Sequence, residues 1–331
     1  MNRIPSLDGL RAVSILLVIF GHLTFEHWKS VIALSYGILG VRFFFIISGY
    51  LITSLLLQEN SKAGTINLSR FYFRRAFRIF PAAIVYMGFV FTIYWSQLRW
   101  YDLAASVLYI ANFDPLRPWF LGHLWSLGVE EQFYLLWPGV LKKWYARRVP
   151  ILVAIVLLAP CYSVLAYLLK VPGVSSTFPA VADNLAVGCL LAIFFERIPA
   201  IKLRYLCIMV TAVILIPRFT ADSKWHTLTA LFLLWPLLYV SIAGITLHVI
   251  RKPPRILNTA PVVWLGRISY SVYLWQQLFS FTPKIEPWYW SALPVLVGSA
   301  SYYFVEKPSL RLRELRTQPL RIGLSYYPSG D

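Results

Sequence analysis

The sequence predicts an all-α, polytopic membrane protein, and its composition supplies two of the three observations that point to this class. Hydrophobic residues make up 58% of the 331-residue chain and charged residues 14%, whereas soluble domains contain about 45–50% apolar and about 25% charged residues. Aromatic residues make up 17%, including 13 Trp and 20 Tyr, and these two types concentrate at membrane–water interfaces. The composition excludes a disordered chain, which requires low hydrophobicity.

The third observation is hydropathy along the chain, which predicts about ten transmembrane helices. About 20 apolar residues cross a bilayer as a helix. The apolar runs lie at 7–25, 35–57, 77–97, 121–141, 150–169, 183–196, 203–217, 228–250, 261–282 and 289–306. The apolar segment 103–112 is too short to cross, so we expect an interfacial or re-entrant helix there.

Basic residues alternate between the two sides of the predicted bundle. When the connecting segments are assigned alternately, 23 Lys and Arg fall on one side and 7 on the other, with Arg42 inside a span. Because cytoplasmic loops carry the excess of Lys and Arg, both termini are predicted to be cytoplasmic. The same distribution accounts for the net charge of +17 without a nucleic-acid partner.

The chain is predicted to form one membrane domain over residues 1–308, followed by a short basic cytoplasmic tail over 309–331. Its three cysteines, Cys161, Cys189 and Cys207, form no CxxC pair. An odd count without such spacing argues against a disulfide framework or a zinc site, and no other cluster has metal-ligand spacing.

Titratable residues at membrane depth mark candidate sites, because burying each costs roughly 2.5–3.5 kcal/mol or more. Arg11 and His22 lie on the first predicted helix, eleven positions apart. Eleven residues correspond to three turns plus about 20°, so both side chains share a face and are separated by roughly 16 Å along the axis. The alternative for His22 is a packed histidine that bonds a neighbouring carbonyl.

Arg75 and Arg78 open the third predicted helix with i, i+3 spacing, which places them on one face. They lie at the same depth as Arg11, and guanidinium groups suit phosphate, so three arginines predict an anion site. The alternative is cytoplasmic charge that contacts lipid headgroups, which we favour for Arg70 and Arg74. Arg74 is expected to face elsewhere on the helix.

The fourth predicted helix carries a pair of adjacent carboxylates, Glu130 and Glu131. His123 and Glu130 have i, i+7 spacing and are expected to share a face, whereas the two carboxylates point about 100° apart. Buried structural hydrogen bonding is the alternative for this pair. It is also the alternative for Tyr273 and Gln276, polar residues on the ninth predicted helix.

These motifs resemble acyltransferase family 3, the bacterial integral-membrane sugar O-acyltransferases. The segment SLDGLRAVSILLVIFGH is similar to the family's first helix, with Arg11 and His22, and FYFRRAFRIFP carries its paired arginines, Arg75 and Arg78. The segments FFFIISGYLIT, HLWSLGVEEQFYLLWP, LGRISYSVYLW and SYYFVEKP resemble further helices of the family. The resemblance runs from residue 5 to about residue 308.

The chain departs from the family pattern at two positions. Arg42 stands before FFF, where the family usually has an acidic residue, and Gln276 stands after YLW, where a histidine is common. Larger members carry a fused hydrolase-like domain outside the membrane, which this sequence does not show. We therefore expect all the chemistry to lie in the membrane domain.

The resemblance implies transfer of an acyl group, most commonly acetyl, from acyl-CoA to a hydroxyl of a cell-surface or lipid-linked saccharide. Acyl-CoA would be a co-substrate, and no cofactor would be bound permanently. Arg11, Arg75 and Arg78 would hold the phosphates of CoA. His22 would act as general base, because a neutral imidazole suits that role near neutral pH. Glu130 would either orient His22 or bind hydroxyls of the acceptor.

The remaining candidate residues are expected to contact the acceptor: His123, Glu131, Ser48 and Tyr273. A covalent acyl-enzyme on Ser48 or Ser126 is an alternative, but the sequence pairs neither serine with a base, so direct transfer is favoured. The implied location is the bacterial inner membrane, as a multi-pass protein. The rival function is a transporter or flippase for a small anion or a lipid-linked sugar, which ten helices with buried charges would also suit.

Overall fold

The computed structural model describes residues 4–28, 31–199, 201–220, 230–280 and 287–317. Within these ranges the chain forms α-helices and short helical turns, and no strand. The helices are α1 Pro5–Trp28, α2 Val31–Ala63, α3 Leu68–Ile93, α4 Trp100–Val107, α5 Trp119–Gly122, α6 Leu124–Lys143, α7 Arg148–Leu168, α8 Phe178–Ile193, α9 Leu203–Thr220, α10 Trp235–Arg251, α11 Ala260–Phe279, α12 Pro287–Ser301 and α13 Lys307–Thr317. The all-α prediction is therefore confirmed for the described residues, while most of the predicted tail lies outside them.

Each of the ten predicted apolar runs overlaps a helix, and the segment 103–112 lies partly on the short helix α4. By length and composition, six helices among the described residues are able to cross a membrane. They are Pro5–Thr24, Tyr36–Ala63, Leu68–Ile93, Tyr145–Leu168, Val174–Ile193 and Phe232–Arg251. The six spans establish the membrane class.

Two helices outside this set, α6 and α11, are less apolar because they carry buried polar side chains. Helix α6 contains Glu130 and Glu131 between apolar residues. Helix α11 contains Gln276 and Gln277, which are almost completely buried. Buried polar groups require hydrogen-bond partners from neighbouring helices, so these helices belong to the interior of the bundle.

Helix α2 packs closely against α1 and α8 and forms the axis of the bundle. Its contact with α8 depends on two glycines, Gly49 and Gly188. A Cβ atom on Gly49 would lie 2.2 Å from the carbonyl oxygen of Leu185, and one on Gly188 would lie 2.2 Å from that of Ile46. Small residues of this kind let the backbones of membrane helices approach closely.

Replacing Gly188 with alanine is expected to destabilise the protein by about 1–3 kcal/mol, the usual cost of overpacking a tight contact. The added methyl group must push α8 away from the carbonyl of Ile46. Thermal unfolding in detergent measures the loss. Gly88 on α3 is the matched control, because a Cβ atom there meets nothing within 4 Å, and an unchanged melting temperature in Gly188→Ala would contradict this packing.

The connection between α3 and α6 is fixed by a charge cluster outside the spanning helices. Arg99 lies 2.5 Å from both Asp102 and Asp114, and hydrogen bonding to Asp102 raises the pKa of the Arg99 guanidinium. Arg117 donates to the carbonyl oxygens of Asp114, at 2.8 Å, and Gly122, at 3.2 Å. These bonds hold the connection against the end of the bundle where α6 begins.

Candidate active site

Three cavities follow one another along α2, and each is lined by a different part of that helix. The aromatic cavity, of about 590 Å³, is lined by residues 38–45 of α2, and the inner cavity, of about 70 Å³, by residues 41–48. The arginine vestibule, of about 580 Å³, is lined by residues 48–62. Because a helix rises 1.5 Å per residue, the aromatic cavity and the vestibule lie toward opposite ends of the bundle.

The three arginines that the sequence singled out all line the inner cavity and the vestibule. Arg11 comes from α1, and Arg75 and Arg78 come from one face of α3. The guanidinium of Arg75 lies 3.6 Å from the ring centroid of Tyr134. The structure therefore brings together side chains that lie more than 60 positions apart in the sequence.

Carboxylates from two other helices accompany these arginines. Glu131 on α6 lies 3.8 Å from Arg75, and Glu306 interacts electrostatically with Arg78 and Arg11. A π-helical turn over Tyr302–Glu306 places Glu306, which is 1% exposed, where it accepts a 3.0 Å hydrogen bond from Ser271. Pairing of this kind is what permits charges to be buried. The sequence predicted no role for Glu306, although this residue lies within the motif SYYFVEKP.

The vestibule carries the excess positive charge of this end of the molecule. Seven basic side chains line it, against two acidic ones: Arg11, Lys62, Arg70, Arg74, Arg75, Arg78 and Arg313, with Glu59 and Glu314. The expectation that Arg74 faces elsewhere is wrong, because Arg74 is spaced i, i+4 from Arg78 and both side chains line the vestibule. A cleft lined by one sign of charge concentrates ligands of the other sign, so the vestibule suits a polyanion.

The two adjacent carboxylates of α6 diverge, as their spacing predicts. Glu130 lines the inner cavity and accepts a 2.8 Å hydrogen bond from the hydroxyl of Ser48, whereas Glu131 faces Arg75. The expectation that neither serine pairs with a base is therefore wrong for Ser48. The sequence missed this contact because Ser48 and Glu130 lie on different helices.

Ser126 and Tyr273 line the inner cavity and bond each other. Their hydroxyl oxygens are 2.5 Å apart, and both hydroxyls also lie 3.1 Å from the carbonyl oxygen of His123. His123 itself precedes α6, and its ring packs against the rings of Tyr86 and Tyr273. His123 is the N-cap residue of α6 and has helical backbone angles, but only Glu130 of the two lines the inner cavity.

His22 lies apart from the walls of the three cavities, on the side of His123 and Trp119. Its Nδ1 atom is 2.9 Å from Oε1 of Gln276. The amide nitrogen of Gln276 donates to Gln277, so the oxygen of Gln276 faces the imidazole. Since an amide oxygen only accepts, Nδ1 carries the proton and Nε2 is the basic nitrogen.

Gln276 is therefore a partner that orients His22, while Glu130 bonds Ser48. The two residues are 254 positions apart, and the sequence showed only that Gln276 departs from the family pattern. A histidine at position 276 would also be able to bond the imidazole of His22.

A helical membrane bundle that turns half-buried arginines from two helices into one cavity defines a membrane-embedded protein with a charged reaction or transport site. Comparison with known families identifies it further. A family model described as "Acyltransferase domain" matches residues 4–306, and the chain belongs to this family, acyltransferase family 3.

Named relatives cover most of this chain. It is 30% identical to the peptidoglycan O-acetyltransferase OatA of Listeria monocytogenes, over 92% of this chain and 55% of the relative. It is 30% identical to the putative peptidoglycan O-acetyltransferase YrhL of Bacillus subtilis, over 96% and 56%. A putative O-acetyltransferase of Staphylococcus aureus is 29% identical, over 93% and 57%. The chain thus spans about half the length of these curated relatives, and no solved structure matches it.

Proposed function

We propose that this protein is an integral-membrane O-acetyltransferase that moves an acetyl group from acetyl-CoA to a hydroxyl of a cell-surface or lipid-linked saccharide. The observation that carries the proposal is the convergence of Arg11, Arg75 and Arg78 on one cavity that continues into a basic vestibule. The relatives named as peptidoglycan O-acetyltransferases favour a saccharide of the peptidoglycan type as acceptor.

The vestibule supplies the binding site for the phosphates of CoA. Arginine forks bind phosphate oxygens through paired N–H donors, and the surplus of basic side chains attracts the donor. The acyl-pantetheine arm then extends along α2 through the inner cavity toward Ser126 and Tyr273. This path runs in the direction that leads from Arg11 to His22 on α1, two residues that are separated by roughly 16 Å along the helix axis.

His22 acts as the general base in this proposal. With Nδ1–H donated to Gln276, Nε2 takes the proton of the acceptor hydroxyl, and the hydroxyl oxygen attacks the thioester carbon. The carbon–sulfur bond then breaks, and the departing thiolate of CoA takes a proton from the imidazolium. Base catalysis of this kind contributes about 10²–10⁴-fold to the rate.

Glu130 and Ser48 offer either a binding group for the acceptor or a covalent route. Direct transfer, with His22 as the base, is the preferred mechanism. Tyr273 lines the inner cavity, where the acceptor hydroxyl would meet the acyl group. His123 packs against Tyr273, and Glu131 faces Arg75 beside it.

The test is transfer of radiolabel from acetyl-CoA to a soluble saccharide by the purified protein in nanodiscs. We expect label on the saccharide and free CoA in equal amounts. The second candidate function is a transporter or flippase. It is favoured because the aromatic cavity and the vestibule lie toward opposite ends of the bundle. Movement of substrate into sealed vesicles without any acetylated product would support the transporter instead.

We also propose ten spans, with both termini in the cytoplasm and the protein in the inner membrane of a bacterium. The 23-to-7 division of basic residues and the overlap of ten apolar runs with helices support this topology. The six helices of clear spanning character are then joined by α6, α9, α11 and α12.

A reporter that functions only in the cytoplasm is expected to be active when it is fused after Asp331, and a reporter that functions only in the periplasm is expected to be inactive there. The matched fusion after Lys170, in the connection between α7 and α8, is expected to give the opposite result. Activity of a periplasmic reporter such as alkaline phosphatase after Asp331 would contradict the proposed topology.

A further inference from the structure

The aromatic cavity carries a cluster of polar side chains for which the function proposed above has no use. It lies beside α2, toward the end of the bundle opposite the vestibule. Residues of the connection before α6 and of the connection after α7 form part of its rim. The aromatic cavity is lined by charged and aromatic side chains, among them Arg42, Arg117, Trp125, Asp183, Trp235 and Tyr239. Pockets of this size with aromatic walls and a few convergent polar groups are typical ligand sites.

Arg42 is the central residue of this cavity. Its guanidinium carbon lies 4.1 Å from the ring centroid of Trp235, and its NH1 group donates to Tyr239 and, at 3.4 Å, to Asn184. The buried Nε of Arg42 has no hydrogen-bond partner in the described part of the chain. A buried guanidinium donor without a partner costs free energy, which a ligand would recover.

The charged side chains that line this cavity are Arg42, Arg117 and Asp183. Asp183 accepts from the backbone and side-chain nitrogens of Asn184, at 2.8 and 2.9 Å, and interacts electrostatically with Arg42. Arg117 donates to backbone carbonyls and interacts electrostatically with Asp114. Among these described residues, the donor left for a ligand is therefore the unpartnered Nε of Arg42.

The walls suit a sugar ring. Trp125, Tyr167, Trp235 and Tyr239 all border the cavity. Aromatic rings supply rigid apolar surface, while their N–H and O–H groups bond polar atoms at the edge. Such walls complement a pyranose, which presents C–H groups on its faces and hydroxyls around its rim.

The cavity also lies next to the proposed reaction site. Val41 and Phe45 line both the aromatic cavity and the inner cavity, and Phe45 packs edge-to-face on Trp125, with ring centroids 5.9 Å apart. Arg42 and Ser48 are six residues apart on α2, or about 9 Å along the axis. The side chains of Val41 and Phe45 would then separate a bound sugar from the acyl group.

We propose that the aromatic cavity binds the acceptor, and that the acceptor is a saccharide with an anionic group that pairs with Arg42. This inference rests on the function proposed above and names its substrate class. The guanidinium of Arg42 selects an acidic saccharide, whose carboxylate or phosphate accepts from its unpartnered Nε, while the aromatic walls hold the ring. The acceptor enters from the end of the bundle opposite the vestibule.

Binding is tested without CoA, by calorimetry on the purified full-length chain in nanodiscs. The probes are the disaccharide N-acetylglucosaminyl-N-acetylmuramic acid, the same disaccharide with its carboxylate amidated, and N-acetylglucosamine 1-phosphate. We expect the carboxylated disaccharide to bind about tenfold more tightly than its amide, the usual worth of a charge-assisted hydrogen bond. Tight binding of the sugar phosphate alone would assign the anionic group to phosphate.

The variant Arg42→Gln keeps hydrogen-bonding capacity toward Asn184 and Tyr239 but removes the charge. We expect it to bind the carboxylated and the amidated disaccharide equally, with acetyl-CoA affinity unchanged. The control is Arg267→Gln, which replaces an exposed arginine on α11. If Arg42→Gln fails to fold, Arg42→Lys retains the charge and is expected to keep the preference.

Failure of this inference is distinguishable from failure of the proposed function. Equal binding of acid and amide by the unmodified protein would overturn the inference, even if acetyl transfer to saccharides occurs. A preference for the acid that disappears in Arg42→Gln would uphold the cavity as an acidic-saccharide site, even if no acetyl group is transferred.

Discussion

Replacing His22 with alanine is expected to lower the rate of acetyl transfer about 10²–10⁴-fold, the contribution of a general base. The loss should appear in kcat, because His22 lies away from the arginine vestibule where CoA would bind. Acetyl-CoA affinity and the amount of folded protein should therefore remain close to those of the unmodified protein. The measurement is single-turnover transfer of label to the acceptor, together with calorimetric binding of CoA.

Two further variants separate a catalytic role of His22 from a packing role. Gln276→Leu removes the oxygen that fixes the imidazole tautomer, so we expect a smaller loss of rate with no loss of His22 itself. His248 lies at the far end of α10, and His248→Ala is expected to retain full activity. A His22→Ala variant with normal turnover would leave His22 as a packed histidine.

The sequence could predict the helices because hydropathy is local information. Every apolar run corresponds to a helix, but the number of spans is harder to read, since α6 and α11 carry polar residues such as the half-buried Glu130 and the buried Gln276. A helix that contributes to an interior site loses some of the signal that identifies it as a membrane span.

The arginine cluster was also predictable, because i, i+3 spacing and a shared depth are properties of single helices. The contacts that complete the site join distant helices: His22 with Gln276, and Ser48 with Glu130. Helical periodicity gives the direction of each side chain from its own axis, but the pairing of helices depends on packing contacts such as Gly188 against α2. No local pattern encodes those contacts.

The error at Arg74 has a local origin. Arg74 points about 100° away from Arg75, but it is spaced i, i+4 from Arg78, so helical periodicity places Arg74 and Arg78 on one face. Residues from the end of α2 and from the second half of α13 complete the wall of the vestibule. A residue can therefore face away from the inner cavity and still line the entrance.

Alanine substitution of Arg11, Arg75 or Arg78 is expected to weaken acetyl-CoA binding by about 1.5–3 kcal/mol each, the worth of a hydrogen bond to a charged group. This corresponds to a roughly 10- to 150-fold higher Kd. Arg78→Lys should restore only part of the affinity, because an ammonium group cannot make the paired donation of a guanidinium.

Arg74→Ala is expected to cost less than these substitutions, because Arg74 is exposed in the vestibule and salt screens exposed charges. Its contribution should decrease as the salt concentration rises, while that of Arg78 should persist. Arg267→Ala, which removes an exposed arginine outside all three cavities, is the matched control and should leave the affinity unchanged. Acetyl-CoA affinity is measured by calorimetry on the folded variants. If Arg78→Ala and Arg267→Ala lose equally little affinity, the arginines only mark the cytoplasmic side and the acyl donor enters by another route.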